Sequence, residues 1–211
     1  MRISEIYPAI QGETSYAGEP CTIIRVAGCN LECSWCDTPQ AKGVKEELSV
    51  DEILTRCRMI GLPLVLLTGG EPLLQKESLE LMRKIVEQGD TLLLETNGSL
   101  PLDGIPEPVV IIMDVKCPGS GMEGRMNLEN LERLRPWDEV KFVITDRRDF
   151  DYAMEIVQKR RLTKRAKVLF SPEYDRMNPG DLADWILETR LPIRLNLQIH
   201  KYIWGPNAKE R

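Results

Sequence analysis

The sequence predicts an α/β fold, a partial and open βα barrel of about six parallel strands. Apolar, strand-like runs alternate with amphipathic helical stretches along most of the 211 residues. The alternation repeats roughly every 25 to 30 residues, which is typical of parallel strand–helix units with right-handed crossovers. A closed eight-strand barrel typically takes about 250 residues, so we expect an open one. We expect a single domain that spans residues 1–211.

The predicted strands are short runs rich in Val, Ile and Leu, several of them bounded by glycine or proline. They are 21–28, 62–70, 90–98, 108–116, 138–145, 166–172 and 193–200. Helices are predicted from apolar residues at helical spacing and from end signals such as Ser49, which precedes acidic residues. They are 49–60, 75–89, 127–135, 149–161 and 179–189.

Composition excludes several classes of protein. With 28 basic and 33 acidic residues the formal charge is −5, and no basic surface for nucleic acid is indicated. The basic cluster at 159–167 is interpreted as a solvated helix end. No apolar run is long enough to span a bilayer, so we expect a cytoplasmic protein without membrane or direct nucleic-acid partners. Its six cysteines then indicate ligands, reactive thiols or buried residues rather than disulfides.

Unusual residues follow four consecutive predicted strands. Cys29 follows the first strand, and TGGEP, ETNG and DVK follow the next three. Because parallel sheets bind ligands at the carboxyl ends of their strands, we expect one site at this edge.

The segment AGCNLECSWCDTPQ, residues 27–40, holds three cysteines in C-x3-C-x2-C spacing: Cys29, Cys33 and Cys36. Structural zinc usually takes four ligands, and a [4Fe–4S] cluster usually takes four thiolates, so three thiolates leave one metal position open. Spacing alone does not separate an iron–sulfur cluster from a zinc site or from three packed cysteines.

The cysteine motif, with Trp35 as its aromatic residue, resembles the signature of the radical S-adenosylmethionine (SAM) superfamily. The resemblance implies that Cys29, Cys33 and Cys36 bind three irons of a [4Fe–4S] cluster and that SAM chelates the fourth. Catalysis would then come from the cluster and the SAM-derived radical, with no side chain as the catalytic group. The implied SAM-binding residues are Gly70, Glu71, Glu95, Asn97, Asp114, Val115, Lys116 and Ser171.

Within this superfamily the chain is similar to the 7-carboxy-7-deazaguanine synthases. The similarity rests on the N-terminal IQGET and on RVAGCNLECSWCDT, TGGEPLLQ, ETNGS, DVKCPGSGM and LNLQIHKYIWG. It implies conversion of 6-carboxy-5,6,7,8-tetrahydropterin to 7-carboxy-7-deazaguanine with loss of ammonia, on the route to queuosine. The chain departs from the family pattern at Thr14, where glycine is usual, and at Asp114 and Val115, which replace Ser and Pro.

The resemblance implies a pterin pocket formed by Ile10, Gln11, Gly12, Glu13, Arg25, Thr68 and His200. Glu13 could accept from the N–H edge of the substrate, and Arg25 could bind an anionic or carbonyl oxygen. Thr38 would offer a hydroxyl ligand to Mg²⁺, which binds oxygen ligands and is often held by few protein groups. A plain alternative for Thr38 is a turn cap, and for Arg25 a surface residue on an edge strand.

The alternative function is activation of a glycyl-radical enzyme, another activity of short radical SAM proteins; a zinc-binding interaction module is a third. Expected partners are an electron donor such as flavodoxin or ferredoxin and a second copy in a homodimer. The remaining cysteines, Cys21, Cys57 and Cys117, fit no cluster spacing and are expected to be buried. The role of the last residues, PNAKER, is left open.

Overall fold

A computed structural model describes residues 1–206 and contains one nine-stranded sheet. Its strands are β1 (Arg2–Ile10), β2 (Pro20–Val26), β3 (Glu46–Glu47), β4 (Leu64–Gly69), β5 (Thr91–Thr96), β6 (Val110–Val115), β7 (Glu139–Ile144), β8 (Lys167–Pro172) and β9 (Ile193–Leu195). The tail from residue 207 onward, whose role the sequence leaves open, lies outside the described residues.

The strand order β3-β1-β2-β4-β5-β6-β7-β8-β9 leaves β3 and β9 at the two edges of an open sheet. Seven strands, β2 and β4 to β9, run parallel, whereas β1 is antiparallel to β2 and to β3. The predicted fold class is confirmed, with seven parallel strands in place of about six.

Five α-helices accompany the strands: α1 (Val50–Ile60), α2 (Ser78–Glu87), α3 (Arg147–Lys159), α4 (Pro179–Thr189) and α5 (Ile199–Trp204). The start of α1 follows its sequence signal, because the Ser49 hydroxyl accepts from the Glu52 amide and the Glu52 carboxylate accepts from the Ser49 amide. No described helix has the length and apolar character needed to cross a membrane.

Two predicted elements are wrong. Segment 127–135 contains a 3₁₀ helix, Leu128–Arg133, rather than an α-helix. Its buried Asn130 amide donates to the carbonyls of Gly98 (3.0 Å) and Leu100 (2.8 Å), which ties the segment to a neighbouring loop. Segment 193–200 is a strand only as far as Leu195, and its last two residues are the start of α5.

Two strands, β1 and β3, were not predicted. Strand β1 contains Pro8, which has no amide hydrogen to donate. It is tolerated because β3 pairs only with Arg2 and Ile3, so the described outer edge of β1 near Pro8 has no strand partner.

The two faces of the sheet differ. Helices cover the outer face, where two apolar clusters form around residues such as Leu67, Leu94 and Phe142. The inner face carries a smaller apolar cluster that includes Ile23, Leu66 and Ile112. The apolar residues of this cluster come just before the strand ends at which the site is found, because alternate residues of a strand point to the same face.

Candidate active site

A cavity of about 260 Å³ opens at the carboxyl ends of the parallel strands. Six neighbouring strands each contribute at least one polar side chain to its wall, among them Arg25 (β2), Thr68 (β4), Glu95 (β5), Asp114 (β6), Lys141 (β7) and Ser171 (β8). Most lie two positions after an apolar residue of the inner face, as Thr68 follows Leu66, because alternate side chains of a strand share a face. On the inner face, the side chains of neighbouring strands thus change from apolar to polar close to the carboxyl ends of the strands.

The three motif cysteines lie in the loop after β2 and line this cavity as free thiols. Backbone hydrogen bonds hold the loop, from the Gly28 amide to the Ala41 carbonyl (2.7 Å) and from the Ser34 amide to the Ser120 carbonyl (3.0 Å). The Cys29 sulfur accepts from the Leu31 amide at 3.4 Å. The loop therefore presents its thiols from a backbone anchored at several points.

The glycines of TGGEP are required by contact with the cysteine loop. The Gly70 amide donates to the Val26 carbonyl (3.1 Å), and the Glu71 amide donates to the Gly28 carbonyl (2.9 Å). A Cβ atom on Gly70 would lie 1.9 Å from the Gly28 oxygen, a distance that no side chain tolerates. The glycine therefore permits a close approach between two backbone segments of the protein.

Glu71, implied by the resemblance as a SAM-binding residue, does not line the cavity. Its fully buried carboxylate accepts from the Thr96 hydroxyl (2.8 Å) and from the amides of Asn97 (2.7 Å) and Leu73 (3.0 Å). Burial raises its pKa, against these hydrogen bonds. Glu71 braces the ends of two strands.

Val115 also points away from the cavity, because its side chain packs in the outer apolar cluster. Its neighbours Asp114 and Lys116 do line the cavity and pair with each other at 3.0 Å. Lys116 also lies over the Trp35 ring, 4.9 Å from its centre. The aromatic residue of the cysteine motif is thereby linked to the end of β6.

A buried lysine, Lys141, forms ion pairs with two carboxylates of the cavity wall. Lys141 Nζ donates to Glu13 (2.7 Å) and to Glu95 (2.5 Å). Burial opposes ionisation of Glu95, but the Lys141 ammonium and hydrogen bonds from Lys141 and Thr68 outweigh it and lower its pKa to about 2. Glu95 is therefore held as an anion, and Glu13 is paired with the same ammonium.

Arg25 lies on β2, which has strand partners on both sides, so the alternative of an edge-strand surface residue is wrong. Its guanidinium donates to Glu5 at 2.8 Å and to the Tyr7 hydroxyl at 3.3 Å. Burial opposes its charge, yet Tyr7 and Glu5 raise its pKa overall. These two neighbours fix the direction of the guanidinium within the cavity.

The structure brings Gln11, Gly12 and His200 together, although His200 lies on α5 rather than at a strand end. A Cβ on Gly12 would lie 1.9 Å from the imidazole Nδ1, so the glycine makes room for the ring. Burial lowers the pKa of His200, against the attraction of Glu13. Gln11 Nε2 is buried and has no hydrogen-bond partner among the described residues.

The family model described as the radical SAM superfamily matches residues 23–114, which hold all three motif cysteines. The 7-carboxy-7-deazaguanine synthase of Koribacter versatilis is 43% identical over 99% of both chains. That of Chlorobaculum tepidum is 38% identical over 99% of this chain and 96% of its own.

The chain belongs to the 7-carboxy-7-deazaguanine synthase family of radical SAM enzymes.

Solved structures agree on the fold. QueE from Escherichia coli covers 93% of each chain with a TM-score of 0.76 at 23% identity. Streptococcus suis SuiB bound to S-adenosylmethionine covers 82% of this chain and 48% of its own, with a TM-score of 0.56 at 12% identity.

Members of the 7-carboxy-7-deazaguanine synthase family are radical SAM enzymes, with a [4Fe–4S] cluster and SAM as cofactors. The residues present fit a cluster, since three free cysteine thiols share one cavity. Within residues 1–206 no three Cys, His, Asp or Glu side chains surround a single point, as one metal ion would need. Ligands of a cluster each bind a different iron and need not converge.

Thr38 lines the cavity beside the cysteine loop and begins a 3₁₀ turn, but its hydroxyl makes no capping hydrogen bond. The turn-cap alternative therefore does not describe this side chain. Its hydroxyl is left for another partner.

Of the residues predicted for this family's site, all but Glu71 and Val115 line the cavity. The predicted residues that line the cavity are Cys29, Cys33, Cys36, Thr38, Gly70, Glu95, Asn97, Asp114, Lys116, Ser171, Ile10, Gln11, Gly12, Glu13, Arg25, Thr68 and His200. Cys21, Cys57 and Cys117 are buried elsewhere, as predicted.

The cavity residues that sequence reasoning missed include Glu5, Tyr7, Asp37, Lys141 and Gln198. Lys141 alone carried a usable signal, because a lysine inside the apolar run VKFVI is unexpected in a buried strand. Glu5 and Tyr7 lie on β1, which was not predicted.

Proposed function

We propose that the chain converts 6-carboxy-5,6,7,8-tetrahydropterin to 7-carboxy-7-deazaguanine with loss of ammonia, a step toward queuosine and related 7-deazapurines. The observation that carries this proposal is that one cavity is lined both by the three cysteines and by Gln11, Glu13 and Arg25. Thiolates serve the cofactors there, while acceptors and a guanidinium suit a bicyclic ring with an amide edge, an amine and a carboxylate.

When bound, the cluster and SAM supply an electron and a carbon radical that abstracts a hydrogen atom from the substrate. The side chains of the protein orient the substrate in the cavity. Glu13 accepts from the N–H edge of the pterin, and Arg25, fixed by Glu5 and Tyr7, donates to an oxygen of the substrate. Because burial lowers its pKa, His200 is mostly neutral at pH 7 and offers one donor and one acceptor.

The SAM side of the cavity is proposed to be Gly70, Glu95, Asn97, Asp114, Lys116 and Ser171. Asn97 links this side to the cluster loop, because its amide donates to Asn30 (3.0 Å) and approaches the Cys29 sulfur (3.9 Å). Ile10, Gln11, Gly12 and Thr68 complete the substrate side.

Thr38 is proposed to bind Mg²⁺ together with the substrate carboxylate. Its uncapped hydroxyl supports this role, as does the preference of Mg²⁺ for oxygen ligands, with water filling the other positions. The ion would act as a template that holds the carboxylate in place. The flavodoxin or ferredoxin donor, the homodimer and the cytoplasmic location stay predictions.

The test is a turnover assay on anaerobically reconstituted protein with SAM, a reductant and carboxytetrahydropterin. We expect 7-carboxy-7-deazaguanine by chromatography and mass spectrometry, with stoichiometric ammonia. Cys33→Ala is the matched control, since it removes a cluster ligand and should form no product.

The result that would overturn the proposal is SAM cleavage without deazaguanine. It would favour the activase alternative, which the relatives do not favour.

A further inference from the structure

Lys141 is a buried lysine at the centre of the cavity wall. Its side chain is 6% exposed, and its ammonium contacts three carboxylates, Glu13 at 2.7 Å, Glu95 at 2.5 Å and Asp114 at 3.5 Å. Burial opposes its charge, but these carboxylates, Glu13 foremost, raise its pKa well above the ordinary value. A lysine is rarely buried unless it is paired in this way.

Lys141 is also the middle of a continuous chain of hydrogen bonds across the cavity. On one side, Glu95 accepts from Lys141 and from the Thr68 hydroxyl (2.8 Å). On the other, Glu13 accepts from Lys141 and from Gln198 (2.5 Å), and Gln198 also donates to Asp37 at 3.1 Å. The chain therefore runs from β4 to the residue that precedes Thr38.

Glu13 and Glu95 come from distant parts of the sequence and repel each other. Glu13 lies in the loop after β1, and Glu95 lies on β5. The Lys141 ammonium contacts both carboxylates, so it fixes the distance between them and offsets their repulsion. Each carboxylate retains lone pairs beyond those used in these bonds.

We propose that Lys141, itself paired with Glu95, is a positioning residue that holds Glu13 as the acceptor for the amino-substituted edge of the substrate ring. It thereby sets the preference of the cavity for a 2-amino-4-oxopyrimidine ring over the 2,4-dioxo ring of the same shape. This inference rests on the proposed function, and it extends it to a residue that itself need not touch the substrate.

The test compares binding of two stable ligands, 6-carboxypterin and 6-carboxylumazine, which differ in the 2-amino group. Neither needs turnover, so binding tests the positioning role even if the proposed reaction fails. We expect the wild type to bind the pterin on the order of tenfold more tightly, because buried acceptors left unpaired by the lumazine are costly.

Lys141→Met should reduce this preference to about twofold or less and raise the KM for carboxytetrahydropterin by on the order of tenfold to a hundredfold, with a smaller effect on kcat. Iron content should stay unchanged, and SAM affinity should fall less than pterin affinity, although Lys141 also contacts Glu95 and Asp114. Lys167→Met is the matched control, because Lys167 is the first residue of β8, at the end of the strand away from the cavity, where it donates to Ser15. This variant should keep the wild-type preference for the pterin.

Because Lys141→Met leaves two buried carboxylates without their ammonium, a second comparison covers the case in which it does not fold. Glu95→Gln removes one of those charges, so Glu95→Gln/Lys141→Met is compared with Glu95→Gln alone. The double variant should bind 6-carboxypterin more weakly by about tenfold, because Glu13 is no longer held.

Equal binding by these two variants would overturn the proposal. So would a folded Lys141→Met variant with the wild-type pterin preference, or one that loses SAM affinity to the same extent as pterin affinity, which would indicate a merely structural role.

Discussion

Single side chains in this cavity differ in how many of their hydrogen-bonding groups the protein itself uses. Glu71 accepts three hydrogen bonds within the protein, whereas the Thr38 hydroxyl caps nothing and Gln11 Nε2 has no partner among the described residues. Buried polar groups are nearly always paired. We therefore expect Gln11 to bind a ligand, whereas Glu71 belongs to the framework.

Thr38→Ala should separate magnesium binding from cluster binding. The change deletes the hydroxyl but leaves the three thiolates in place. We expect unchanged iron content and SAM affinity, weaker stimulation by Mg²⁺, and turnover slower by on the order of ten- to a hundredfold. Thr55→Ala is the control, because Thr55 is exposed on α1. Full turnover with full magnesium stimulation in Thr38→Ala would show that the ion is held elsewhere.

The ion pair of Glu95 predicts how stability depends on pH. The pKa of Glu95 is lowered from its ordinary value of 4.5 to about 2, so its contribution is present above 4.5 and is lost as the pH falls toward 2. The wild type should therefore exceed Glu95→Gln in free energy of unfolding by the most near neutral pH. Urea denaturation at a series of pH values should show the difference shrinking below pH 4.5. A difference that stays constant to pH 3 would contradict the ion-pair account.

At the scale of elements, the end of β4 and the cysteine loop behave as one unit. The Gly70 and Glu71 amides donate to carbonyls of Val26 and Gly28, and a Cβ on Gly70 would collide with the Gly28 oxygen. This contact is between two backbones, so no change of rotamer relieves it. The position of the first cysteine thus depends on a glycine 41 residues away in the sequence.

Gly70→Ala should therefore displace the cysteine loop. We expect reconstituted protein with markedly less than the about four irons per chain of a full cluster, and weaker SAM binding. Gly124→Ala is a matched control, because a Cβ there meets nothing within 4 Å. Iron analysis and the visible absorption of the cluster measure the outcome. Equal iron content in the two variants would refute the coupling.

Elements with a local signal were predicted well, and those fixed by distant contacts were not. Helix α1 carries its own capping box, and β6 begins with four consecutive apolar residues. The 3₁₀ helix around Asn130 depends on carbonyls about 30 residues away, and β9 ends where the Asn196 amide donates to Ser171 on β8. No local pattern encodes such contacts.

At the scale of the molecule, the open side of the sheet is spanned by the loop after β1. The Thr14 amide donates to Asn196 at 2.7 Å, and Ser15 donates to the buried Glu139 of β7. Thr14 has a φ of 71°, a left-handed conformation that favours the glycine usual at this position in the family. The sequence shows that threonine replaces glycine here. Only the structure shows that this threonine adopts an unfavourable backbone conformation and that its amide donates to Asn196.

The site proposed for SAM is assembled from the ends of strands β4, β5, β6 and β8, so SAM should stabilise the whole sheet against unfolding. Ligand at about a hundred times its Kd contributes about 2.7 kcal/mol, which for a chain of this size raises Tm by roughly 5–10 °C. This shift should require the cluster, because SAM completes the coordination left open by three thiolates. Anaerobic thermal unfolding should therefore show it in the reconstituted wild type and in Cys57→Ala, whose thiol is buried under α1 outside the cavity. Cys33→Ala should show little or none. An equal SAM-dependent shift in Cys33→Ala would mean that SAM binds to the strand ends alone, and the cluster would then not be part of its site.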